Sequence, residues 1–223
     1  MDNSGLYASL IRSRLYLICE LLGIFIIIPA LIYALHPLPI IPILWMVTFL
    51  SIWAVFKDKS FKRDSLWGSF ELKKNYKGML KLFFIIAAVM IALIYFFIPY
   101  HLFSLIKDDP LLWALIMILY PLLSVYPQEL LYRTFFFHRY KLLFHKRWQT
   151  ITANALLFGY MHIIFQNWIA VVLTLLGGFL FASMYERTRS TLFVSVAHAL
   201  YGDLIFTVGL GTYFYNGTML TLS

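Results

Sequence analysis

The chain has 223 residues, of which 62% are hydrophobic, 19% aromatic and only 13% charged, with a formal net charge of +8. Soluble domains carry roughly a quarter charged residues, so this chain lacks the polar side chains to cover a water-facing globule and reads as a polytopic integral membrane protein. No basic face repeats along any helix, which argues against nucleic-acid binding. The single cysteine, Cys19, excludes an internal disulfide and a thiolate zinc centre.

A spanning helix needs ~20 apolar residues. About seven such segments follow one another, at 15–35, 37–56, 79–99, 111–137, 149–166, 168–185 and 190–213. They predict an all-α bundle, with 1–223 as one membrane domain. The first segment is too long for the apolar core of a cleavable signal peptide, and no small-residue cleavage motif follows it. Cys19 lies inside it as a small hydrophobe facing lipid or another helix. Glu20, one turn from Tyr16, is expected to bond a neighbouring helix or the Tyr16 hydroxyl. His36-Pro37-Leu38-Pro39 forms a tight turn.

Charge placement sets the orientation. Lys57, Lys59, Lys62, Arg63, Lys73, Lys74, Lys77 and Lys81 form one cluster; Arg12 and Arg14, then Arg139, Lys141, Lys146 and Arg147, then Arg187 and Arg189 form the others. Only Lys107 and Arg133 fall outside them. A cytoplasmic N-terminus makes every cluster cytoplasmic, as the positive-inside rule requires, and leaves 216–223 outside. The stretch 56–76, with Trp67, Phe70 and Tyr76 among lysines, reads as an interfacial segment on an anionic leaflet.

The fourth segment carries Pro121 and Pro127, and a new helical start is expected near Pro127, with Glu129 close to its positive end. Phe135, Phe136 and Phe137 read as a lipid- or interface-facing anchor, and His138 and His145 as interfacial. Gly177-Gly178 suits close helix packing. Gly209, Gly211, Tyr213 and Phe214 suit a helix end at the interface.

Ionisable groups inside a bilayer cost several kcal/mol and need a partner or a purpose. Six qualify: Glu20, Glu129, Arg133, His162, His198 and Asp203. Glu129 and Arg133, spaced i, i+4, share a helix face and can pair. Counted at 1.5 Å per residue from the nearest basic anchors, Glu129, His162, His198 and Asp203 lie ~14–22 Å deep, one common layer from three segments. A carboxylate and imidazoles can activate water, hold an oxyanion and protonate a leaving amine. His162, His198 and Glu129 also supply the three ligands that a catalytic zinc or similar divalent metal takes.

Gln128-Glu129-xxx-Arg133, then Phe158-xxx-His162, then His198 with a polar residue shortly after, resembles the three-motif pattern of the CAAX-protease and bacteriocin-processing family of intramembrane endopeptidases. The resemblance covers about 111–213, the expected catalytic core. It implies cleavage of a peptide or protein substrate, lipidated or membrane-anchored, with His162 and His198 catalytic and Arg133 structural. Two positions depart from the pattern: Gln128 stands where the family has its first glutamate, and Gly202 where its last polar residue falls, with Asp203 one later. Glutamine cannot act as a base, so Glu129 is the expected water activator, oriented by Arg133, with Asp203 supporting His198 and Gln128 as a hydrogen-bonding neighbour. A bacterial inner membrane is the default host. Two other classes remain: an inactive relative serving as a membrane scaffold, and a small proton-coupled transporter with Glu129, His162 and Asp203 as its relay.

Overall fold

The structure, a computed structural model, describes residues 13–35 and 37–214, with only the backbone at 69 and 70. Arg12, His36, the Phe70 side chain and 216–223, all of which carried expectations, lie outside the described residues. Every regular element among the described residues is helical. The main helices are α1 (Arg14–Ala34), α2 (Ile40–Phe56), α3 (Ser69–Phe97), α4 (Ser104–Asp108), α5 (Pro110–Arg139), α6 (Arg147–Met161), α7 (Trp168–Thr188) and α8 (Thr191–Val208). Five helical stretches, namely α1, α3 with its short lead-in, α5, α7 and α8, are long and apolar enough to cross a membrane. The protein is an integral membrane protein. Helix α2 has 17 residues and α6 has 15, or ~26 Å and ~22 Å at 1.5 Å per residue, short of a ~30 Å hydrocarbon layer. These two of the seven expected segments are thus shorter than the five spanning stretches.

Helix α8 is the most buried of the spanning helices and packs against α3, α5 and α7. Helices α6 and α7 lie closest together, because glycine removes the side chain at the contact. A Cβ on Gly178 would stand 3.0 Å from the Ala155 Cα, and one on Gly159 would stand 3.0 Å from the Leu175 Cβ. Gly178 thus does the close packing expected of the Gly177-Gly178 pair. Gly209 ends α8 in left-handed backbone at φ +100°.

Two expectations for α5 are corrected. The helix does not restart at Pro127 but runs on, widening into π turns at Pro121–Val125 and Leu130–Phe135. Glu129 is therefore mid-helix and not at a positive end. Pro127 has no N–H to offer the carbonyl four residues back, and Trp45 Nε1 on α2 donates to that Leu123 oxygen at 3.0 Å. Thr48 Oγ1 donates to the Pro127 carbonyl at 3.2 Å. Backbone groups freed inside lipid need such partners, which is why the short α2 packs on α5. The second correction concerns Phe135, Phe136 and Phe137, which are all buried. The π turn rolls them inward, where Phe136 meets Phe25 and Tyr140 edge-on at 5.5 and 5.3 Å.

Beyond these contacts, polar locks tie the helix ends together. Arg139 on α5 pairs with Glu20 on α1 through Nε–Oε1 at 2.7 Å and Nη2–Oε2 at 2.9 Å, so Glu20 bonds a neighbouring helix. His138 Nε2 lies 3.0 Å from Asp58 Oδ2, while the Ser60 N–H donates to Asp58 Oδ1 at 2.9 Å. The Ser60 N–H, helped by the Ser60 hydroxyl and His138, holds the Asp58 carboxyl well below the usual carboxylate range. Cys19 is exposed on the apolar flank of α1.

Glu20→Ala leaves a half-buried guanidinium without its carboxylate and is expected to cost ~1–3 kcal/mol, read as a lower thermal midpoint in detergent with helix content unchanged. Because Asp58 is depressed in the folded state, its contribution is present above the unfolded carboxylate range near ~4 and fades as pH falls below it. The thermal midpoint of Asp58→Asn should then fall less between pH 6 and pH 3 than that of the wild type.

Candidate active site

A cavity of about 930 Å³ opens between α2, α3, α5, α6, α7 and α8. Its walls are mostly leucine, isoleucine and phenylalanine, but Tyr120, Ser124, Gln128, His162 and His198 bring polar groups to it. Three of these follow from helix periodicity: Tyr120, Ser124 and Gln128 recur every fourth residue on α5 and so share one face. The Gln128 amide nitrogen donates to Ser124 Oγ at 2.8 Å, and its Oε1 is buried without a hydrogen-bond partner among the described residues.

Behind that wall lies an ionic network. Glu129 and Arg133 have no exposed surface. Arg133 Nε sits 3.1 Å from Glu129 Oε2, and the other carboxylate oxygen, Oε1, lies 2.8 Å from His198 Nδ1. Arg133 also donates to Asn154 Oδ1 and lies over the Phe158 ring at 4.9 Å. Asn154 in turn donates to the Tyr132 carbonyl at 2.6 Å. Carboxylate, guanidinium and amide are thus linked across α5, α6 and α8, while Glu129 Oε2, Arg133 Nε and Arg133 Nη2 stay buried without a hydrogen bond among the described residues.

Both imidazoles have a defined proton position. A backbone carbonyl only accepts, so His162 Nδ1, 2.7 Å from the Phe158 oxygen, must carry the proton there, leaving the Nε2 lone pair free to accept. Helix α6 ends at this point, and the ring caps the Phe158 carbonyl in place of a backbone N–H. As a carboxylate Glu129 likewise only accepts, so His198 Nδ1–H donates to it and Nε2 is the acceptor. The Tyr120 hydroxyl stands 3.3 Å from that Nε2. The two imidazoles flank one phenyl ring, with the His162 and His198 centroids 4.9 and 5.6 Å from that of Phe158.

Residues 110–202, a little under half of the chain, match the family model described as type II CAAX prenyl endopeptidase, Rce1-like. That stretch is similar to the CAAX-protease family. No curated protein and no solved structure matches the chain. The matched stretch spans α5 to the middle of α8 and holds all the polar groups just described.

Within the matched stretch the structure brings Glu129, Arg133 and His198 into contact, with His162 and Gln128 on the same cavity. Asp203 makes no hydrogen bond with His198, lies within electrostatic reach of Tyr120, and has its Oδ1 buried without a hydrogen-bond partner among the described residues. Five residues after His198, it is turned about 140° around the helix from it, and His198 already has Glu129 and Tyr120 at its two nitrogens. Helix α8 runs unbroken through Gly202. The metal ligand set left open by the sequence does not assemble: among the described residues no three His, Cys, Asp or Glu side chains converge closely enough to hold an ion. His198 Nδ1 and His162 Nδ1 are both committed to protein oxygens.

Sequence reasoning passed over Tyr120, Ser124 and Asn154. Their signals were present: Tyr120-Ser124-Gln128 and Asn154-Phe158-His162 each recur at intervals of four, the spacing of one helix face.

Arg133→Met removes the charge that faces Glu129 in a solvent-free site. Breaking a buried pair from one side costs ~3–5 kcal/mol, so the variant is expected to unfold in detergent well below the wild-type temperature.

Proposed function

We propose that the protein is an intramembrane endopeptidase that cleaves a peptide bond in a membrane-associated substrate, lipidated or membrane-anchored, received in the cavity between α5 and α8. The observation that carries this reading is the Glu129–His198 pair at 2.8 Å with the imidazole facing that cavity. The apolar walls suit a substrate segment that arrives through the bilayer, and the basic loops favour a cytoplasmic N-terminus in a bacterial inner membrane.

In this reading Glu129 acts from behind. It fixes the His198 tautomer and offsets the positive charge that forms when Nε2 takes a proton. Water, oriented between the two imidazoles, attacks the scissile carbonyl carbon as its proton passes to His198 Nε2. The carbonyl electron pair moves to oxygen, where hydroxyl and amide donors of the α5 stripe can meet it. The proton on Nε2 then passes to the leaving nitrogen as the C–N bond breaks. Glu129, as the water activator expected from the sequence, thus works through His198, because the carboxylate has no surface on the cavity.

Gln128 supports a second reading. It is the residue of the glutamine-glutamate pair that reaches the cavity, and its amide cannot take a proton. A relative with this wall would bind a membrane segment without cutting it.

Cleavage of a quenched-fluorescent peptide library by purified protein separates the two. His198→Ala and Glu129→Ala are expected to lower kcat by ~10²–10⁴ at wild-type yield of folded protein for His198→Ala. A silent wild type with activity appearing in Gln128→Glu identifies a disabled enzyme; silence in all variants supports the binding reading.

A further inference from the structure

We infer that Tyr120 is a positioning residue for His198, admitted to that place by Gly202; the inference rests on the Glu129–His198 reading above. Three observations meet at this point. The Tyr120 hydroxyl lies 3.3 Å from His198 Nε2. In the neutral imidazole, with Nδ1 carrying the proton toward Glu129, Nε2 accepts and the phenol is the donor. Gly202 follows His198 by one helical turn on the same face of α8, and any Cβ there would collide with the Tyr120 ring and hydroxyl. The absence of a side chain at Gly202 is what lets a residue on α5 reach the imidazole on α8.

The ring is itself held. It packs edge-on against Phe206 with centroids 5.3 Å apart and edge-on to His198 at 6.3 Å. On the other side Phe181 stacks on the imidazole at 4.6 Å and 24°. His198 is thus fixed by a carboxylate at Nδ1, a phenol at Nε2 and an aromatic face beneath it. Tyr120 is the one of the three that also lines the cavity with a polar group. Its hydroxyl occupies the lone pair that water must use. A water molecule that donates to Nε2 in its place frees the phenol to donate to the oxyanion.

The decisive experiment is ¹⁵N NMR of histidine-labelled full-length protein in detergent, comparing wild type with Tyr120→Phe, which keeps the ring and removes only the hydroxyl. The His198 Nε2 resonance is expected at the position of a hydrogen-bonded acceptor in the wild type and to move to that of a free imine-type nitrogen in the variant, with Nδ1 unchanged. An Nε2 signal that does not move overturns the inference, whether or not the chain cleaves anything. Kinetics then test the consequence. On a cleaved peptide Tyr120→Phe should lower kcat ~10–100-fold with KM within about threefold. Gly202→Ala should do the same by displacing the ring. If Gly202 acts only through the hydroxyl, the double variant is no worse than Tyr120→Phe alone; additive losses or an unchanged kcat would sink that role. A wild type that cleaves no peptide removes the proteolytic reading and leaves the NMR result to decide the contact.

Discussion

A carboxylate and a guanidinium without access to solvent must be neutralised by protein groups, and in this molecule that requirement draws three helices together. Glu129 meets Arg133 on its own helix and His198 on α8, while Arg133 reaches Asn154 on α6. Each ion alone would carry a desolvation cost of several kcal/mol. The network is therefore intolerant of losing either ion: without Glu129 or Arg133 the other charge is left buried without its counter-ion. Helix α8 is correspondingly the most buried spanning helix, and the cavity opens on its free side.

The irregularity of α5 is the other half of the design. Two prolines and two π turns would leave carbonyls unpaired in a lipid setting, and α2 answers with Trp45 and Thr48. Widening the helix also rolls Phe135, Phe136 and Phe137 into the core. The same helix presents two chemically distinct faces. One carries the neutral stripe of Tyr120, Ser124 and Gln128 toward the cavity; the other carries the ions Glu129 and Arg133 away from it.

That division bears on function. An apolar cavity with neutral donors on its wall can admit a membrane-embedded chain without stranding a charge, while the ionised carboxylate acts through an imidazole at the boundary. Electrostatic effects strengthen where water is scarce, so a single Glu129–His198 contact can weigh more here than in a solvated cleft. The same walls would serve a binding protein, and the difference between the two uses comes down to whether imidazole basicity suffices beside Gln128.

Much of this was legible in the sequence. Composition and apolar run lengths determined a helical membrane protein, because hydrocarbon admits few other backbones. The Gln128-Glu129-xxx-Arg133, Phe158-xxx-His162 and His198 spacings marked the polar groups that meet, because ions inside a membrane need partners. Sequence alone did not give the rotation of α5. Successive residues differ by about 100° around a helix, so spacing states which side chains share a face but not which face looks into a cavity. Only the packing of α5 against α2 and α8 decided that Gln128 faces the cavity while Glu129 turns behind it, and that Tyr120 reaches His198 across Gly202.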